Sequence, residues 1–254
     1  MKHVTIGIIG GTGGIGRWFA RFFEEQGFTV HVAGRKSGMD IPAMAKACSV
    51  VIVSVPIGAT IGVIKKIGPY MKRNSLLMDL TSLKEEPVKA MLASSRSEVT
   101  GLHPLFGPSV RSLKNQNIVL CPARGKHWLT WLRAILEKKG AHIVETTPED
   151  HDEMMAVVQG LTHLNTMTMG IMVRESGIDR AGLEKFSTPT FRKKLKLIDR
   201  VFSRPGLYAE IITGNPALRP LARRYAHIAA QLKKVTLQKD RDLLVALITG
   251  RRRP

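Results

Sequence analysis

A Rossmann-type α/β domain with a mostly parallel sheet, followed by an all-α domain, is the fold class that three features of the 254-residue sequence predict. A short apolar run at residues 4–9 leads directly into a glycine-rich stretch and then an amphipathic helix. Apolar segments of strand length then alternate with helical ones up to residue 145. From about Asp150 onward the pattern is helical, with no convincing strand.

The run at 4–9 reads as a buried strand. Gly11-x-Gly13-x-x-Gly16 follows it. Residues 17–26 then show helical spacing, with Trp18, Phe19, Phe22 and Phe23 on the apolar side and Gly27 as the stop. Residues 29–33 form the next strand, which completes a βαβ unit. In that setting the glycines have distinct tasks. Gly11 permits the tight turn, Gly13 lets the backbone approach a pyrophosphate, and Gly16 lets helix and strand pack closely. The helix start at Gly14 and Ile15 offers free N–H groups to phosphate, with Thr12 beside them. Where an NAD site usually carries an acidic residue, at the end of the second strand, the sequence reads Gly34-Arg35-Lys36. Two cations there favour a 2′-phosphate, so NADP is expected over NAD, with NAD still possible; the alternative is a pair of solvated loop charges. Residues 50–55, 76–80, 117–121 and 142–145 supply the remaining strands.

Thr147-Pro148-Glu149-Asp150 reads as a helix start and as the boundary between residues 1–149 and 150–254. Met154, Met155, Val158, Leu161 and Thr162 have helical spacing, and the methionines read as core. Ser187-Thr188-Pro189 and Asn215-Pro216 open further helices.

Lys plus Arg number 39 against 20 Asp plus Glu, a net charge of +19. The excess is spread along the chain, no stacking aromatics alternate with it, and no zinc-finger or RNA-recognition motif is present. This argues against a nucleic-acid site and for a solvated basic surface, whose field also draws in small anions. Two cysteines, Cys48 and Cys121, make no disulfide framework and suit a reducing cytoplasm. The longest apolar candidate for a membrane span, residues 50–64, is short and broken by Pro56, Gly58 and Gly62. No metal-ligand spacing occurs, so no metal is expected.

Chemistry concentrates between residues 79 and 108. His103 lies in a Gly/Pro-rich stretch, read as a rigid loop, and Pro104 holds it extended. A histidine so placed can act as a base, although a lone histidine is more often structural or on the surface.

Several stretches resemble the prephenate dehydrogenase family, which includes arogenate dehydrogenases. They are the glycine turn, Val51-Ile52-Val53-Ser54-Val55-Pro56-Ile57, Asp79-Leu80-Thr81-Ser82-Leu83-Lys84, and Gly101-Leu102-His103-Pro104-Leu105-Phe106-Gly107-Pro108. Further along come His151-Asp152-Glu153-Met154-Met155-Ala156, Gln159-Gly160-Leu161-Thr162-His163 and Ser187-Thr188-Pro189-Thr190-Phe191-Arg192. The resemblance spans nearly the whole chain in order, and the His-Pro-Leu-Phe-Gly-Pro block is its most specific part. It implies oxidation of prephenate at ring C4 by hydride transfer to NAD(P)+, with loss of the ring carboxylate, in tyrosine biosynthesis.

By the resemblance, His103 is the catalytic base, Ser82 orients it and contacts substrate, and Lys84 adds positive charge beside an anionic substrate. Arg200 aligns with an arginine that binds a prephenate carboxylate; on the residues alone it reads as a surface arginine paired with Asp199 or another carboxylate. His163 matches a pocket histidine, with a satisfied core histidine nearly as good a reading. Ser54, Val55 and Pro56 join the cofactor site. His151 opens its helix, where capping or packing competes with catalysis. The second domain implies an intertwined homodimer. The chain starts at the first strand and stops after Leu247, so neither a fused mutase nor a regulatory domain is expected. Arogenate or 4-amino-4-deoxyprephenate remains an alternative substrate. The reading from another class is a non-catalytic NADP-sensing or nucleic-acid-associated Rossmann protein.

Overall fold

A computed structural model describes residues 4–35 and 37–250. In chain order the elements are β1 (Thr5–Ile9), α1 (Gly14–Glu25), β2 (Thr29–Ala33), α2 (Ile41–Ala47), β3 (Val50–Val53), α3 (Ile57–Ile67), β4 (Leu76–Asp79), α4 (Glu85–Ser94), β5 (Glu98–Pro104), β6 (Asn117–Arg124), α5 (His127–Lys138), β7 (His142–Glu145) and α6 (Pro148–Met155). After a π-helical turn at Ala156–Leu161 come α7 (Thr162–Glu175), α8 (Arg180–Lys185), α9 (Pro189–Phe202), α10 (Pro205–Gly214), α11 (Leu218–Gln238) and α12 (Arg241–Thr249). The chain divides into two compact units, one of residues 1–155 with 204–214 and one of residues 156–203 with 215–254.

The first unit is built on a seven-stranded sheet of order β2-β1-β3-β4-β5-β6-β7. Every pairing is parallel except β5 with β6. The central strands are buried on both faces, which is why they read as unbroken apolar runs. Ile6, Ile8, Val50 and Ile52 pack with Phe19, Phe23 and Trp131 on one face, while Ile9, Val51 and Val53 pack with Met44, Ile64 and Met91 on the other. Aromatic rings carry the first layer: Phe23 stacks on Trp131 at 6.1 Å and Trp18 on Phe22 at 5.5 Å. The strand order reverses between β1 and β3, and such a switch point opens a crevice at the carboxyl ends of the strands.

One expectation needs correcting here. The stretch holding His103 is not a loop, because residues 98–104 are β5, in register with β6 so that His103 faces Val119. Pro104 is the last residue of the strand, and Gly101, in its middle, leaves the room that the Lys84 side chain occupies.

The second unit is helical. α7 and α9 approach closely where Gly170 has no side chain; a Cβ there would lie 2.6 Å from the Phe202 ring. Thr188 caps α9 by accepting from the Phe191 N–H, as the Ser-Thr-Pro start foretold. Within the first unit Met155 is core, but Met154 is 60% exposed, so only one of the two methionines is buried by this chain; Val158, in the second unit, is also exposed. No helix among the described residues is long and apolar enough to cross a membrane.

Candidate active site

The glycine turn closes on the loop that follows β3. Gly10 has φ +87°, and a Cβ there would sit 2.2 Å from the Ser54 carbonyl oxygen, so only glycine fits. At Gly16 a Cβ would meet the Gly10 carbonyl oxygen at 2.6 Å and Ser54 Oγ at 3.0 Å. Close packing therefore rests on Gly16 as expected. The left-handed turn belongs to Gly10 rather than to Gly11, whose bare Cα instead makes room for Val32. The Ser54 N–H donates to the Ile9 carbonyl (2.8 Å), which ties Ser54, Val55 and Pro56 to the end of β1.

α1 starts at Gly14 with Gly13 as N-cap and no side-chain cap. Its first-turn amides at Gly14, Ile15 and Gly16 are thus available to an anion. Thr12 packs over Gly34, where a Cβ would lie 2.5 Å from its Oγ1. Arg35 follows in an exposed turn. The Gly34 N–H donates to Ser37 Oγ, and that hydroxyl donates back to the Gly34 carbonyl (both 3.0 Å). Lys36 lies outside the described residues. This uncapped helix start beside a side-chain-free turn fits the pyrophosphate of a dinucleotide.

The strand that carries His103 exits toward the same turn: Pro108 lies against Gly14, within 3.2 Å of where a Cβ would stand. The His103 ring is buried, at 3% exposure. Its Nδ1 lies 2.9 Å from Nε2 of His151, and Nδ1 of His151 lies 2.7 Å from Oδ1 of Asp152. The Asp152 carboxylate also accepts from the backbone N–H groups of Lys84 (2.8 Å) and Glu85 (3.0 Å), at the start of α4. Such a carboxylate has a fixed orientation. When His151 holds one proton, that proton sits on Nδ1, facing Asp152. Its Nε2 then presents a lone pair, so His103 must direct an N–H from Nδ1 toward it. The proton-accepting lone pair of His103 is thereby assigned to Nε2. Burial, then the charges of His151 and Lys84, push the His103 imidazole well below the ordinary 6.5.

Two sequence expectations change at this point. Lys84 is not presented to a ligand: it is fully buried, its ammonium forms an ion pair with Asp79, and it donates to the Leu102 carbonyl (3.2 Å). Gly101 creates the space, since a Cβ there would lie 2.9 Å from Lys84 Cδ. Ser82 is half-buried in the loop before α4, but the partner that orients Nδ1 of His103 is His151.

In the second unit, Arg200 stands exposed on the last turn of α9. Its expected partner Asp199 is engaged by Arg180 through two contacts of 2.9 Å, which leaves Arg200 with no ion pair among the described residues. His163 is half-buried on α7, and burial lowers its pKa. Asp152 and Asp79 are the residues that sequence reasoning missed. His151 was weighed there as a cap or packing residue. The signal was present in the adjacent His-Asp dipeptide at a helix start, and in an Asp five residues before a lysine.

Lys84→Met is expected to lower stability by about 3–5 kcal/mol, because it strands the buried Asp79 carboxylate. Chemical denaturation measures this. A variant of unchanged stability with only a raised substrate KM would restore the ligand-facing role.

Comparison with known proteins identifies the family. Residues 24–145 match the family model described as the nucleotide-binding domain of prephenate dehydrogenase, and residues 147–249 match that of its dimerization domain. A probable arogenate/prephenate dehydrogenase of Methanocaldococcus jannaschii is 35% identical over 97% of this chain and 60% of its own length. The T-protein of Haemophilus influenzae is 36% identical over 81% of this chain and 55% of its own length. The chain thus spans little more than half the length of these relatives. The fold is also that of the Aquifex aeolicus prephenate dehydrogenase solved with hydroxyphenyl propionate and NAD+, with a TM-score of 0.77 at 17% identity, covering 98% of this chain and 96% of that one. By the match of both domains in sequence order, the chain belongs to the prephenate dehydrogenase family.

Proposed function

We propose that the protein oxidises prephenate or arogenate with loss of the ring carboxylate, as a step of tyrosine biosynthesis. The observation that carries this reading is the buried chain His103–His151–Asp152, on a strand whose exit packs against the glycine turn. When bound, NAD(P)+ would accept the hydride from ring C4. The first-turn amides of α1, with Gly11 to Gly16, would hold its pyrophosphate, and Ser54, Val55 and Pro56 would line its other end.

Nε2 of His103 takes the proton of the C4 hydroxyl as the carbonyl develops. His151 and Asp152 keep the accepting lone pair aimed, and burial keeps the ring uncharged before the reaction. The oxidised ring then loses CO2 because the product is aromatic. Arg200, exposed and with no ion pair among the described residues, binds a substrate carboxylate, and His163 also binds substrate. Ser82 contacts the substrate. Lys84 acts on the reaction only through His103 and the strand beside it.

NADP is the preferred cofactor in this reading. No carboxylate ends β2, and the exposed Arg35, with Lys36 and Ser37 beside it, suits a 2′-phosphate. Residues 150–254 form the substrate-binding and dimerising part. The exposure of Met172, Phe186, Leu237 and Ile248 in the second unit supports a homodimer that covers apolar surface.

Turnover with prephenate and with arogenate, each with NADP+ and NAD+, tests the reading through formation of the reduced nicotinamide. NADP+ is expected to give the higher kcat/KM, and a clear NAD+ preference would overturn that part. His103→Asn should lower kcat by roughly 10²–10⁴-fold with little change in binding. Arg200→Gln should chiefly raise the substrate KM. Unchanged turnover in the first variant or an unchanged KM in the second would remove that residue from its role.

A further inference from the structure

The loop that follows β3 is held from a distant part of the sequence. α3 begins after Pro56 with no cap from its own residues. The missing acceptor comes from α10: the Ile57 N–H donates to Oε2 of Glu210 at 3.1 Å, across 153 positions of sequence. The other carboxylate oxygen lies 3.1 Å from where a Cβ of Gly58 would stand, so a side chain at 58 would crowd the carboxylate. An acidic group at a helix start is stabilising in its own right, through the exposed N–H groups and the helix dipole.

The placement of α10 gives this contact its significance. Residues 204–214 belong to the first compact unit, although the residues before and after them belong to the second. The segment is anchored in its middle and at its C-terminal end. Glu210 grips α3, and Gly214 packs on Leu83, with a virtual Cβ 2.8 Å from Leu83 Cδ1. α10 therefore joins the Ser54–Val55–Pro56 loop to the loop that leads into Lys84 and the Asp152 carboxylate. It also follows within a few residues of α9, the helix that carries Arg200.

We propose that Glu210 is a positioning residue for the dinucleotide: by capping α3 from α10, it fixes the shape of the Ser54–Pro56 loop against which the cofactor binds. The inference rests on the cofactor-binding reading above. Gln at this position keeps an oxygen that can accept from the Ile57 N–H, whereas Ala keeps none. Gly58→Ala attacks the same contact from the other side. It favours helix formation but crowds the carboxylate, so it separates loss of the contact from loss of fold.

Direct titration of the full-length protein with NADP+ and with NAD+, followed by intrinsic fluorescence, is the test. Glu210→Ala is expected to raise the cofactor Kd by about three- to thirtyfold, the equivalent of a lost cap. Glu210→Gln should stay within about threefold of the wild type, and Gly58→Ala should weaken binding with no loss in thermal midpoint. The double variant Glu210→Ala/Gly58→Ala should bind no more weakly than Glu210→Ala alone, because both changes break one contact. Unaltered cofactor binding in Glu210→Ala would overturn the proposal while leaving the enzymatic reading intact. Equal losses in the Gln and Ala variants, or additive losses in the double variant, would also overturn it. A wild-type protein that binds neither dinucleotide would overturn both.

Discussion

A single carboxylate orders the candidate active site. Asp152 is fixed by two backbone N–H groups at the start of α4, and it also faces Nδ1 of His151. One carboxylate thus sets the tautomer of two imidazoles in series. Without that carboxylate, nothing in the chain of hydrogen bonds would decide which nitrogen of His103 carries the proton. The same arrangement makes the direction of the His103 lone pair a property of the fold rather than of a mobile side chain.

The surrounding structure supports this arrangement with buried charge. Asp79 and Lys84 pair beneath His103, and Lys84 holds the carbonyl of Leu102, the residue before the histidine. A buried pair of this kind contributes little net stability compared with an apolar pair of the same volume. Its benefit here is local: a positive charge close to His103 opposes protonation of the ring, and the donated hydrogen bond fixes the strand. Lys84 thus supports the strand that carries His103.

The glycine turn was legible because its signal is local. The strand, the turn and the helix occupy consecutive residues, and Gly10 and Gly16 are demanded by backbone contacts only a few positions apart. The helix starts at Pro148 and Pro189 were legible for the same reason. What escaped the sequence depends on distance. His103 and His151 are 48 positions apart, and Glu210 and Ile57 are 153 apart; neither pairing has a local signature. Lys84 was misread because lysines are nearly always exposed, and only the bare Cα of Gly101 on the next strand makes its burial possible. β5 reads as a loop in the sequence because glycine and proline normally interrupt strands. Helical periodicity identified the apolar face at Met154 and Met155, but it could not say whether this chain or another surface covers it.

The central claim is that the His103 ring stays uncharged with its proton on Nδ1. Nitrogen-15 NMR of the imidazoles, recorded as the pH is lowered through the ordinary histidine value of 6.5, tests it most directly. Because burial and neighbouring charge depress its pKa, the ring should remain neutral below that value, with Nδ1 protonated and Nε2 bearing the lone pair. A ring that becomes charged at or above pH 6.5, or one whose proton resides on Nε2, would contradict the account.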